Sequence, residues 1–132
     1  MPKFLPKGEL QALSLKAEGD GLTLNDLSTI GDKFGAAPQD LLNELSVWVA
    51  ENYLQGSLDF DFCDSVMNGI INAVVEVGMT SELPQPAFSL YQAFDQGEWI
   101  RSSDSPETDP GEKYTRPIVV EILRALKDWS LE

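Results

Sequence analysis

A chain of 132 residues, 42% of them hydrophobic, fits one ordinary domain with a single core. It has no histidine and one cysteine, Cys63, so internal disulfides, multi-cysteine metal sites and Ser–His or Cys–His nucleophilic pairs are excluded within the chain. Nine basic against twenty-two acidic side chains give a formal charge of −13, which disfavours direct binding to nucleic-acid phosphates or to an anionic membrane.

The opening Met1-Pro2-Lys3-Phe4-Leu5-Pro6-Lys7 is basic but has no apolar stretch of signal-peptide length behind it, and no run anywhere approaches the ~20 apolar residues of a membrane span. A soluble, cytoplasmic protein is expected, with residues 1–8 as a flexible lead-in. From Gly8 to Leu24 the pattern is two-sided. Leu13, Leu15 and Ala17 alternate, Glu18-Gly19-Asp20-Gly21 reads as a turn, and Leu22 and Leu24 alternate again, so a short β-hairpin competes with a helix. A brief helix over about 25–34 follows, ended by Gly35.

Pro38 and Asp40 suit the first turn of a longer helix that ends near Gly56. Leu41, Leu45, Trp48, Val49 and Tyr53 fall on its inner side, and Asp40, Glu44 and Glu51 form an acidic outer stripe interrupted by Val47. Ser57 is placed to cap the next helix, which opens with Asp59 and Asp61. There Cys63, Val66, Met67, Ile70, Val74 and Val77 share one face, with Asp61, Ser65, Asn68, Asn72 and Glu76 on the other. The β-branched pairs Ile70-Ile71 and Val74-Val75, following Gly69, keep a strand open as an alternative.

Pro84 and Pro86 introduce a helix carrying Ala87, Leu90, Tyr91 and Phe94, with Gly97 as its stop. Residues 101–113, rich in Ser, Asp, Pro and Gly, read as an exposed loop. Thr115 caps a last helix with Pro117 in its first turn and Val119, Ile122, Leu123, Leu126 and Trp129 facing inward. Arg124 and Lys127 lie in its final turns, where cations suit the dipole. The expected fold is mainly α: a single-domain bundle of about five helices, with an optional N-terminal hairpin.

The charge is unevenly distributed. Between Lys33 and Arg101 there is no base, while Asp40, Glu44, Glu51, Asp59, Asp61, Asp64, Glu76, Glu82, Asp95 and Glu98 contribute a net −10. Negative charge alone serves solubility. Excluding every base from half the chain goes further, and favours encounter with a basic partner.

Asp59-Phe60-Asp61-Phe62-Cys63-Asp64 lacks the glycine and closing glutamate of a calcium loop, so its acids read as helix-start residues. Asp104, Glu107, Asp109 and Glu112 match no metal-loop spacing and read as solvated. Cys63 sits among apolar neighbours as an inert core thiol. Asn68 and Asn72 are poor helix formers on one face, which calls for a polar contact between helices or for recognition of a partner. Asp95 and Glu98 flank Gly97 beside Trp99, a residue that either folds back on the core or stands as an interface hot spot. The candidate partner-binding set is Asp61, Asp64, Asn68, Asn72, Asp95, Glu98 and Trp99; no catalytic residue, metal ligand or cofactor is assigned.

The pattern Phe60-x-Phe62-Cys63-Asp64 with Asn68, then Phe94-Asp95-x-Gly97-Glu98-Trp99 and Tyr114-Thr115-x-Pro117, resembles small bacterial immunity proteins of toxin–immunity systems, including those of contact-dependent growth inhibition. The resemblance covers about the C-terminal half and implies a cytoplasmic protein that binds a cognate toxin domain and blocks it. It brings no catalytic residues. The leading expectation is therefore a non-catalytic inhibitor of a basic toxin domain, with a nuclease as the natural case because nucleases attract phosphate. A homo-oligomeric adaptor or regulator and a nucleic-acid mimic are the alternatives. An enzyme would have to rely on carboxylate, lysine or tyrosine chemistry.

Overall fold

The structure is a computed structural model that describes residues 3–130, with side chains described through Lys127. Six α-helices form one bundle: α1 (Lys7–Gly19), α2 (Leu24–Phe34), α3 (Pro38–Gln55), α4 (Phe60–Thr80), α5 (Ala87–Gln96) and α6 (Arg116–Ser130), with a π-helical turn over Gly111–Thr115 leading into α6. There is no strand among the described residues. No helix among them is long and apolar enough to cross a membrane.

The hairpin alternative is corrected to helix α1. Leu10, Leu13, Ser14 and Ala17 are buried along one helical stripe, while Leu15, the residue that made the pattern alternate, is 60% exposed. Ser14 tolerates burial because its hydroxyl donates to the Gln11 carbonyl at 2.7 Å. Met1 and Pro2 of the lead-in lie outside the described residues; after them the chain is anchored, for Leu5 is buried, and the Phe4 and Leu5 amides donate to the Glu44 carboxylate at 2.9 and 3.2 Å.

Glu44 is thereby removed from the supposed outer stripe of α3; the neighbouring Asn43 is buried too, its Oδ1 accepting from the Ala87 amide at 3.1 Å and capping the start of α5. The physical reason is the position of α3. It packs against each of the other five helices, so Leu41 to Ser46 are buried all the way round and their polar members must bond inward. Only Glu51 of the three stripe acids is fully exposed.

α4 is helical throughout, its β-branched pairs notwithstanding, and its cap is Asp59, not Ser57: Asp59 Oδ1 accepts from the Phe62 amide at 2.8 Å. Gly69 has a specific use. A Cβ there would collide with the Ala17 carbonyl oxygen, so glycine allows α1 to cross α4 at backbone contact distance. The Gly69 carbonyl in turn accepts from the Leu22 amide at 2.9 Å, which fixes the turn after α1.

At the other end of α4, Phe60, Tyr53 and Phe94 form an aromatic cluster, with Tyr53 edge-on to Phe94 at 5.2 Å between ring centroids. This cluster joins α3, α4 and α5. Tyr53 also donates to the Gly111 carbonyl at 3.2 Å, and buried Thr115 donates to the Ala93 carbonyl at 2.7 Å, so the π turn is tied to the same cluster. Thr115 is therefore a core donor and not the cap of the last helix. Trp129 lies outside the described side chains.

Candidate functional site

The first turns of α4 and the end of α5 lie side by side, which brings together residues far apart in sequence. Asp64, one turn into α4, faces Glu98 just beyond α5. Asn68, the next turn along, donates its side-chain amide to Glu98 Oε2 at 3.3 Å and lies at 3.5 Å from Asp64 Oδ2. Asp95, the last acid of α5, and Asp61 complete the group through their fields. Five of the seven candidate residues thus form one surface cluster: Asp61, Asp64, Asn68, Asp95 and Glu98.

The electrostatics follow from that crowding. Partial burial, a hydrogen bond to the Glu98 carboxyl, and the charges of Glu98, Asp95 and Asp61 push Asp64 up to about 7. Burial and Glu98 raise Asp95 as well. Every charged neighbour acting on Asp64 is an acid, and the one polar bridge is the neutral Asn68 amide. The arrangement can hold a proton between carboxyls, or accept a cation from outside.

Asn72 is exposed on the same face of α4 but joins none of these contacts. Trp99 is 47% exposed and does not fold onto the core. It lies instead against the Arg101 guanidinium, 4.2 Å from the ring centroid, and the same guanidinium lies 3.6 Å from the Tyr114 ring centroid. Arg101 also donates to the Gln96 carbonyl at 2.7 Å and the Trp99 carbonyl at 2.8 Å, capping the C-terminal end of α5. The first base after the long acidic interval is thus committed to the helix end beside the cluster and not to the cluster's carboxylates.

The loop over 101–113 is more ordered than a solvated connection. Asp104 accepts from the Arg101 amide at 2.9 Å and from the Tyr114 hydroxyl at 2.6 Å, and pairs with Lys113; these partners hold its carboxyl well below the usual carboxylate range. Glu107, Asp109 and Glu112 stay exposed. Tyr91 was not among the candidates, yet its phenol is raised by burial and by Asp95, Glu98 and Asp64. Its position four residues before Asp95 was the available signal.

Cys63 is fully buried, and burial, with Asp59 and Asp64, pushes its thiol up to about 12. It is inert as a nucleophile. Among the described residues no group of three or more acids or thiols could hold a metal ion. Comparison with protein-family models, with curated proteins and with solved structures finds no match.

Proposed function

We propose that this protein is a non-catalytic inhibitor of the immunity type, acting in the cytoplasm and neutralising a basic toxin domain through the α4–α5 acidic cluster. One observation carries the reading: Asp64, Asp95 and Glu98 come together on one surface with only other acids and a neutral amide around Asp64. An incoming lysine or arginine relieves that repulsion and gains charge-assisted hydrogen bonds. Trp99, held half-exposed beside Glu98, supplies the aromatic contact that interface hot spots favour. The residues whose pattern resembles immunity proteins, Phe60 to Asn68 and Phe94 to Trp99, are those that build and support the cluster.

The test is co-expression with the product of the adjacent reading frame, followed by calorimetric titration of the purified pair. Reversing Asp61, Asp64, Asp95 and Glu98 to lysine should weaken binding by roughly 100-fold or more and flatten its salt dependence. Unchanged affinity and salt dependence would remove this surface from the interface.

A further inference from the structure

On the side away from the buried Ile70 and Val77, α4 presents one continuous stripe to solvent. Asp61, Asp64, Asn68, Asn72, Val75 and Met79 recur every three or four residues and so fall within a narrow arc of the helix; Asp64 is half-buried and the other five are exposed. The chemistry changes along the stripe, with carboxylates at the N-terminal end, carboxamides in the middle and apolar groups at the C-terminal end. Met79, 77% exposed, is the most exposed large apolar side chain among the described residues, and Val75, one turn before it, is 41% exposed.

α5 repeats this gradient. It runs back along α4 from the link over 81–86, and its outer residues Phe88, Tyr91 and Asp95 are aromatic beside the apolar end of α4 and acidic beside the acidic end. Phe88 and Tyr91 stack with ring centroids 6.5 Å apart, both half-buried against the core. Leu83 in the link folds over Gly78, where a Cβ would come within 2.8 Å of its Cδ1, and so joins Val75 and Met79 at the apolar end. Neither helix carries a base, and the one further acid on α4, Glu76, lies off the stripe on the flank that holds Gly69. The face is two helices wide and about 22 Å long from Asp64 to Met79. Two antiparallel helices side by side leave a furrow that receives a third.

On the reading that the acidic cluster binds the toxin domain, we propose that the toxin domain lays a helix of its own along this α4–α5 face in one fixed direction. Lysine or arginine at one end of that helix sits over Asp64 and Glu98, and apolar side chains at the other end cover Val75, Met79 and Leu83. The direction is fixed because a reversed helix sets its charges on Met79 and its apolar groups on the carboxylates. The acidic end steers the encounter, and the apolar end supplies the burial that slows release.

A second copy of the chain fits this face less well. Two copies joined through it meet acid on acid if parallel and acid on methionine if antiparallel. A pair shifted to overlap Val75, Met79 and Leu83 alone buries too little for a stable dimer of chains of net −13. Any other face of a second copy, such as α1 with its exposed Leu15 or the apolar cleft between α3 and α6, could meet this one only head to tail, building rings or filaments that sedimentation detects.

The test uses two displayed libraries of helical peptides about 16 residues long, equal in composition. In one, lysine and arginine are confined to one half of the stripe and randomised apolar residues to the other; in the second, the two kinds are mixed along the whole length. Selection on the full chain at pH 8 should enrich the segregated library alone. The selected peptides should bind Val75→Gln/Met79→Gln roughly ten-fold or more weakly with their salt dependence unchanged, and Asp64→Asn/Glu98→Gln roughly ten-fold or more weakly with it flattened. Circular dichroism checks that both variants keep their helices. Enrichment of neither library, or of both equally, would overturn the proposal. Loss of binding only in the Asp64→Asn/Glu98→Gln variant would overturn it while leaving the acidic cluster as a binding surface. Loss only in Val75→Gln/Met79→Gln would count against the cluster as well. Self-association in sedimentation that Val75→Gln/Met79→Gln abolishes would assign the face to a second copy and likewise overturn the proposal.

Discussion

Asp64 ionises against the burial of its own carboxyl and the acids around it, which raise it from an ordinary 3.8 to about 7. Between those values the folded chain holds a proton that the unfolded chain has released, so this group's contribution to stability is present below about pH 4 and is lost as pH rises through 7. Asp64→Asn should raise the melting temperature at pH 8 by about 2–4 °C, with little effect at pH 4; equal shifts at both would show that the carboxylate is not strained by charge. The same linkage bears on the proposed partner. A docked cation favours ionised Asp64, so binding should release a proton and weaken as pH falls below 7, which titration calorimetry in buffers of different ionisation enthalpy measures directly. Glu44 works in the opposite sense, as an acceptor the fold depends on. Glu44→Ala leaves the Phe4 and Leu5 amides without their partner and should cost about 1–3 kcal/mol in urea denaturation, whereas Glu44→Gln keeps an acceptor and should cost less. That role was illegible in sequence: a glutamate among the polar positions of a helix reads as solvent-facing, and its partners lie 40 and 39 residues away.

Among the elements, the α1–α4 crossing depends on the missing side chain at Gly69. Gly69→Ala puts a methyl group onto the Ala17 carbonyl and should destabilise by about 1–3 kcal/mol in the same denaturation assay, even though alanine is the better helix former. In the sequence this glycine only weakened the case for a helix; the close crossing that accounts for it is a property of two elements together. α3, α5 and most of α4 were legible because their apolar residues recur at helical spacing and proline, aspartate or glycine marks their ends. α1 was not, since a buried serine stands in its apolar stripe and an exposed leucine stands outside it, so period two and period 3.6 fit about equally well. The 101–113 segment had the composition of an exposed loop, yet its last three residues belong to the π turn with Gly111 buried, and the order of the rest relies on Asp104, whose partners Arg101, Lys113 and Tyr114 are polar residues without periodicity. Asp104→Asn should therefore speed proteolytic cleavage within 101–110 while leaving the helical circular dichroism signal unchanged.

Across the whole molecule, the −13 charge is concentrated where no base offsets it. Screening should relieve that self-repulsion, so raising sodium chloride from 0.05 to about 0.5 M should increase the melting temperature by a few degrees. A flat or falling response would mean the acids are already balanced locally. The acids of the candidate site were legible singly, from the long interval without lysine or arginine. Their assembly was not, because Asn68 and Glu98 meet across 30 residues. The apolar end of the α4–α5 face was less legible still: Val75 stood only as half of a β-branched pair, and Met79 lies beyond Val77, the last inward position of α4. Trp99 lies against Arg101 beside the cluster. With Trp48 and Trp129 changed to phenylalanine, Trp99 alone would make the protein its own optical label. A ligand that lifts Trp99 from its guanidinium would then register as a change in emission, and occupancy of the acidic end could be followed in one unlabelled sample.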